Sequence, residues 1–315
     1  MSASEIVPGV YVVKGKFADE FGFISSYLVV DSGNVAVIDP GTAGDPGSLT
    51  TDAIRGLGLD PKHDVVAILC THGHPDHIGG AARLKKATGA QVMIHSADAE
   101  LMTDPQSFVE KRLWIDTAGK LAMKVERGPL RVNYREMTPD RLLRDGEEIR
   151  VGDVALRTIH TGGHSAGHCV FYDSSRKILF SGDEVNNFPN EPRKFYVDMT
   201  GSLPKKMSAL DRLSSLKPEF LLPAHDMAHI LSDVGLQFEE ARNSVLHFQD
   251  VLLAYLTARG DADVEQLRYD MSEGRGIPVP TSMAWLLPTT ISVALSSLEK
   301  AGLVRRTGVG VWKRV

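Results

Sequence analysis

His72-Gly73-His74-Pro75-Asp76-His77 follows directly on Val65-Val66-Ala67-Ile68-Leu69-Cys70. The apolar run reads as a buried strand, and the polar stretch after it as the loop at the strand's end. Imidazoles and a carboxylate packed this closely form a metal-ligand arrangement, because these donors suit zinc and related borderline metals. His72 and His74 are two positions apart, so an extended backbone turns both to one side. Asp76 and His77 follow on a turn and point elsewhere, which suits a second metal. Gly79-Gly80 lets the backbone pass closely beneath such a site.

Upstream of the motif, strands are predicted over 6–13, 24–30 and 35–39, with a turn at Asp31-Ser32-Gly33-Asn34 and a helix near 49–57. Downstream come a helix near 78–88 and a strand at 91–94. Residues 97–140 read as an irregular insertion with helical patches, carrying Met102, Phe108, Trp114, Met123 and Tyr134. Four strands then follow at 148–151, 155–159, 169–172 and 177–181, with a helix over 203–216 and a last strand at 220–222. Strands followed by helix, twice over, suit two facing sheets with helices outside.

Three further candidate ligands each sit just past an apolar strand. They are His164 in His160-Thr-Gly-Gly-His164-Ser-Ala-Gly-His168, Asp183 in Phe180-Ser-Gly-Asp183, and His225 in Leu222-Pro-Ala-His225. Loops at strand ends are where a rigid sheet presents functional groups. His168 is a candidate to hydrogen-bond a ligand or the substrate. His160 reads as a strand residue behind the site, and His63, His95, His229 and His247 as ordinary polar positions. Arg193, Lys194, Lys205 and Lys206 read as a solvated basic face.

After about residue 230 the character changes. Val234, Phe238, Val245, Phe248, Leu252 and Leu256 recur at helical spacing. A second helix is predicted over 289–303, ending at Gly302, and a hairpin over 304–312. Helices before a terminal hairpin resemble a winged helix. The expected division is a catalytic domain over 1–230 and a small helical, winged-helix-like domain over 231–315, serving as a packing or dimerisation appendix. That tail holds nine Lys/Arg against ten Asp/Glu, which is not the footprint of a nucleic-acid reader.

The 315 residues allow one large domain or a large and a small one. A net charge of -5 advertises neither nucleic acid nor an anionic membrane. No apolar stretch is long enough for a transmembrane helix, and the start shows no secretory signal. The two cysteines, Cys70 and Cys169, lie in apolar strand-like runs, where a buried reduced thiol is the default. A cytoplasmic protein is expected.

The ordered set, HxHxDH, then His in a T-x-G-H-S loop, Asp after Ser-Gly, and His after Pro-x, resembles the metallo-beta-lactamase superfamily. Asp39 in Val37-Ile38-Asp39-Pro40-Gly41 resembles that family's early supporting Asp. The resemblance covers about residues 1–230, with a glyoxalase II-like core, and is specific for fold and metal rather than substrate. It implies an α+β fold, the αββα sandwich with the site at one edge of the paired sheets. It implies His72, His74 and His164 on a first metal, Asp76, His77 and His225 on a second, and Asp183 bridging them.

Two zinc ions per chain are implied, with iron or manganese as alternatives. Such a pair shares a water and lowers its pKa from about 15.7 to near 7, and the bridging hydroxide attacks a carbonyl carbon or phosphorus. By analogy Asp76 orients that hydroxide or passes a proton. The expected activity is a dinuclear metal-dependent hydrolase of a small ester, thioester, lactone or phosphoester. The alternatives are an endoribonuclease of the same superfamily and a mononuclear iron sulfur dioxygenase. Acyl-homoserine lactonases usually carry a Tyr where Asn186 stands, which weakens the lactone option. The expected partner is a small-molecule substrate, with no membrane, nucleic acid disfavoured, and a second copy of the chain as the candidate protein partner.

Overall fold

The structure is a computed structural model that describes residues 3–18, 22–112, 134–185, 201–225, 232–272 and 287–315. Trp114, Met123, Asn186, Arg193, Lys194 and His229 lie outside the described residues.

The first sheet has seven strands in sequence order: β1 (Ser4–Val7), β2 (Val10–Ala18), β3 (Gly22–Asp31), β4 (Asn34–Ile38), β5 (Val65–Leu69), β6 (Gln91–His95) and β7 (Arg141–Leu143). The first four strands pair antiparallel, and β4 to β7 run parallel. The predicted 6–13 strand breaks into β1 and β2 because Gly9 turns the chain at φ +75°. The second sheet has the order β12 (Phe220–Pro223), β11 (Ile178–Gly182), β10 (Cys169–Asp173), β9 (Val154–His160), β8 (Glu148–Val151). Only its β11–β12 pair is parallel.

Side-chain alternation assigns each strand residue to a layer. Val29, Ile38, Leu69 and Met93 of the first sheet meet Ile149, Leu156, Phe171, Phe180 and Leu222 of the second in one buried cluster. Their neighbours Leu28, Val37, Ile68 and Val92 point outward onto α1 (Thr50–Gly56) and α4 (Ala81–Thr88) through Ala53, Ile54 and Leu84. On the far side Val170, Leu179 and Leu221 pack against Leu210 and Leu213 of α7 (Leu203–Ser215) and Phe238 of α8 (Val234–Arg259). The layers are therefore helix, sheet, sheet, helix, and both sheets are apolar on both faces, as covered sheets require. This is the αββα sandwich the sequence resemblance implied.

The helices α2 (Pro61–Asp64) and α3 (Pro75–Ile78) are single turns that flank β5. The predicted 78–88 helix is interrupted, since α3 ends at Ile78 and α4 starts at Ala81. Gly79-Gly80 fills the gap, and a Cβ on Gly80 would stand 2.3 Å from the Pro40 carbonyl oxygen. Close backbone contact, not helix propensity, sets this break. Within the 97–140 stretch, α5 (Ala99–Thr103) and α6 (Pro105–Arg112) precede β7.

After α8 come β13 (Ala262–Asp263), α9 (Val264–Ser272), α10 (Leu287–Lys300), β14 (Val304–Gly308) and β15 (Val311–Arg314). The three strands form a small sheet in the order β13-β15-β14. The cluster beneath it includes Leu252, Leu267, Ile291, Leu295 and Trp312, and it extends into Leu101, Phe108 and Leu203. The C-terminal helices thus share a core with the α5–α6 segment. Among the described residues no helix is long and apolar enough to cross a membrane.

Candidate metal centre

The site begins where β4 and β5 end side by side. Asp39 follows β4 in a left-handed conformation, φ 51°, which is costly for a residue with a Cβ. Its fixed contacts hold it there. Asp39 Oδ1 accepts the Thr71 N–H at 2.7 Å, and Oδ2 accepts the Thr71 hydroxyl at 2.8 Å. His77 Nδ1 lies 3.0 Å from the same Oδ2. A carboxylate can only accept, so His77 carries a proton on Nδ1 and turns Nε2 toward the site. The single Thr71 hydroxyl proton goes to Asp39, so its oxygen accepts from His72 Nδ1, 3.0 Å away. His72 is thereby fixed with its proton on Nδ1 and Nε2 bare toward the site.

The other half of the site comes from the second sheet. β9 runs into the loop carrying His164, β11 into Asp183, and β12 into His225. The two sheets are tied beside the site by Cys169 N–H to Thr71 O at 2.7 Å and Ser25 N–H to Ala224 O at 2.9 Å. Seven side chains converge there. His72, His74 and His164 offer ring nitrogens within 4.8 Å of one another, as do the donors of His72, His77 and Asp183, and those of Asp76, His77 and His225. His74 Nδ1 and His164 Nε2 are 3.0 Å apart. His225 Nε2 lies 3.1 Å from Asp76 Oδ2. Asp183 reaches both sides, with Oδ1 3.4 Å from His77 Nε2 and Oδ2 3.5 Å from both His164 Nε2 and His225 Nε2.

These residues fit a metal ion. His72 Nε2 and Asp183 Oδ1 are buried and make no hydrogen bond within the described protein. A buried polar atom left so costs free energy, and both aim at the centre of the cluster. The donor set, imidazole with carboxylate, is the one borderline divalent metals take.

Charge divides the cluster. Burial, reinforced by the neighbouring imidazoles, holds His72 well below the ordinary histidine range. Burial likewise depresses His164, and puts His74 at about 4. On the other side the order reverses. Burial opposes the charge on His77, but Asp183, Asp76 and Asp39 outweigh it and raise the group well above its usual value. His225 is raised to about 10, chiefly by Asp183, against the same desolvation. Asp183 is correspondingly held well below the carboxylate range by His225 and His77 despite its burial.

His168 lies outside the three donor groups. It is fully enclosed, and its Nε2 accepts the Asp183 N–H at 3.2 Å. Its Nδ1 faces Thr161 Oγ1 at 3.0 Å and Glu184 Oε2 at 3.3 Å. Lys206 corrects the sequence reading: it is fully buried, not solvated, and its Nζ donates to the Asp183 carbonyl at 2.8 Å. Glu184 and Asp98, both buried, went unremarked in the sequence. The position of Glu184, directly after Asp183 at a strand end, was the available signal for the first. His160 ends β9 and stacks on His95, with centroids 4.0 Å apart and planes at 7°. His63 is on the surface beside Asp60, and Cys70 and Cys169 are buried free thiols.

A covered double sheet with a histidine–aspartate cluster at one edge defines a class, the αββα sandwiches with a candidate metal centre. The chain belongs to the metallo-beta-lactamase superfamily, whose sequence model matches residues 19–225. Among solved structures it is similar over 99% of its length to the whole of a metallo-beta-lactamase family protein, TTHA1429, from Thermus thermophilus, with a TM-score of 0.78 and 27% identity. Among curated proteins it is 29% identical over 188 residues to human acyl-coenzyme A thioesterase MBLAC2, covering 56% of this chain and 63% of that protein. It is 31% identical over 163 residues to hydroxyacylglutathione hydrolase of Pseudomonas entomophila, covering 50% and 46% respectively. The chain thus spans less than two thirds of these curated relatives.

Proposed function

We propose that the chain is a dinuclear zinc hydrolase of small thioesters, acting in the cytoplasm, where Cys70 and Cys169 stay reduced. The observation that carries this is the convergence of seven donors in two sets with Asp183 reaching both. The choice of thioester is supported by relatives named for acyl-coenzyme A and hydroxyacylglutathione, both acyl groups on thiol carriers.

In this reading His72, His74 and His164 would hold one ion and Asp76, His77 and His225 the other, with Asp183 in reach of both sets. Bound metal supplies Lewis acidity and makes water a nucleophile near neutral pH. The chain's own groups do the rest. Asp76, ionised against His225 and His77, orients the attacking water and takes its proton. Water oxygen bonds to the acyl carbon, the C–S bond breaks, and the proton passes to the departing thiolate. His168 acts through Asp183 by fixing that residue's backbone N–H. Phe108, packed edge-on against His74 with centroids 5.4 Å apart, keeps water from that side of the ring. The segment after residue 230 supplies the core behind Phe108 and so covers the site.

The test combines elemental mass spectrometry of protein purified without added metal with turnover of acyl-coenzyme A, acyl-glutathione, lactone and bis-phosphodiester substrates. About two zincs per chain with thioester hydrolysis is the expected result. One iron per chain with oxygen consumption on a persulfide would replace this reading with the dioxygenase.

A further inference from the structure

Asp98 stands at the start of α5, where an aspartate ordinarily caps the helix with its own carboxylate. Here the side chain makes no cap. It is fully buried and turned toward two loops far away in sequence. Oδ2 accepts the Gly73 N–H at 3.0 Å and the Ser165 hydroxyl at 2.5 Å, and Oδ1 accepts the Gly167 N–H at 2.9 Å. Gly73 lies between His72 and His74, and Ser165 and Gly167 follow His164. Both glycines are required by the closeness of this arrangement. A Cβ on Gly167 would stand 2.7 Å from Asp98 Cγ, and one on Gly73 would meet Leu101 at 2.8 Å and the Asp98 carbonyl oxygen at 3.0 Å. The glycine of Ser-Ala-Gly-His thus clears room for the Asp98 carboxylate, and that of His-Gly-His for the α5 turn that carries it.

We propose that Asp98 is the positioning residue of the His72–His74–His164 set, fastening the loop that carries the first two to the loop that carries the third. It touches no ligand ring and acts through the backbone on either side of them. The two ligand loops belong to different sheets, joined at their ends by the Cys169 N–H to Thr71 O bond, and Asp98 spans the gap beside the ligands themselves. This rests on the reading of the cluster as a metal centre.

Asparagine separates the role from simple space filling. Each carboxylate oxygen takes one backbone N–H, so whichever way an amide turned, its NH2 would face an N–H donor. One loop tie is therefore lost at unchanged volume. The experiment titrates metal-stripped wild type, Asp98→Asn and Ser165→Ala with Co²⁺ against a chelating dye, following visible absorption, with denaturation midpoints of the stripped proteins alongside. Asp98→Asn is expected to bind the first Co²⁺ about 10–100-fold more weakly, with altered absorption of the bound ion. Ser165→Ala keeps both backbone ties and should lose about fivefold. It decides the matter should Asp98→Asn not fold. A lowered midpoint with wild-type affinity and absorption would make Asp98 merely structural and overturn the proposal. A wild-type chain that binds no Co²⁺ would overturn the metal reading and the proposal with it.

Discussion

The two ligand sets share one cavity but reach readiness for a metal by opposite routes. Desolvation by burial dominates at His72, His74 and His164 and holds all three below the ordinary histidine range, so they are neutral at physiological pH. His77 and His225 sit among Asp76, Asp183 and Asp39, so in the chain alone they hold protons that a metal must displace. The first set is preorganised by desolvation and the second by charge. A cation entering the second set exchanges with protons already there, whereas one entering the first meets imidazoles that are already neutral. Among the described residues, Asp183 reaches toward both sets.

The sharpest way to break this picture is therefore Asp183→Ala. Loss of the shared carboxylate should lower kcat/KM for thioesters on the order of 10³-fold, while circular dichroism stays native. Full activity in a metal-replete Asp183→Ala protein would sink the bridging role.

The next test separates the sets by pH. His74, with its folded pKa at about 4 below the ordinary 6.5, stabilises the fold above pH 6.5 and loses that contribution as pH falls toward 4. His225, raised to about 10, stabilises the metal-free fold below pH 6.5 and loses its contribution as pH climbs toward 10. Metal-stripped protein should thus be less stable on both sides of neutrality, by at most about 1.4 kcal/mol per pH unit for each proton. Metal loading should remove the alkaline loss, because a metal-bound His225 carries no proton to give up. Urea midpoints at pH 5, 7 and 9, with and without metal, measure this. A flat midpoint between pH 7 and 9 in stripped protein would show that the carboxylates do not protonate the second set.

Much of this was legible in the sequence because each ligand follows an apolar strand, so a one-dimensional pattern maps onto one sheet edge. The layers were legible because strands followed by helix, twice over, suit two facing sheets with helices outside. What escaped were features with no periodic signal. β7 and β13 are too short to show alternation, and α9 is a short helix beyond the long amphipathic one. Lys206 looked like surface, since nothing local announces that its ammonium meets the Asp183 carbonyl. Asp98 has no local signal of its role, because its partners lie 25, 67 and 69 residues away.

The two sets also differ in what lies behind them, which allows a smaller and more selective perturbation. Asp39 reaches His77 directly but reaches His72 only through the Thr71 hydroxyl. Thr71→Val removes that hydroxyl while sparing the backbone N–H bond to Asp39 and the His77 contact. The expected result is about tenfold weaker metal binding at the first set, with the second set unchanged. Equal loss at both would mean that Thr71 supports the cavity as a whole rather than one ring.

Smallest of all should be Phe108→Leu. Phe108 meets the site at His74, and its other neighbours are the C-terminal core around Leu252 and Ile291. Leucine keeps the site apolar and leaves part of the ring's volume empty, for a cost of about 1–2 kcal/mol in denaturation. If the C-terminal helices only pack, metal affinity should stay at the wild-type value while stability falls. If they hold His74 in place through this ring, first-set affinity should fall two- to threefold, about 0.5 kcal/mol, with second-set affinity untouched. That second outcome is the expected one, because Asp39 steadies His72 and His77, whereas His74 has Phe108 packed against it beside the rings of His72 and His164. Desolvation by its neighbours is what keeps His74 neutral, and Phe108 is among them.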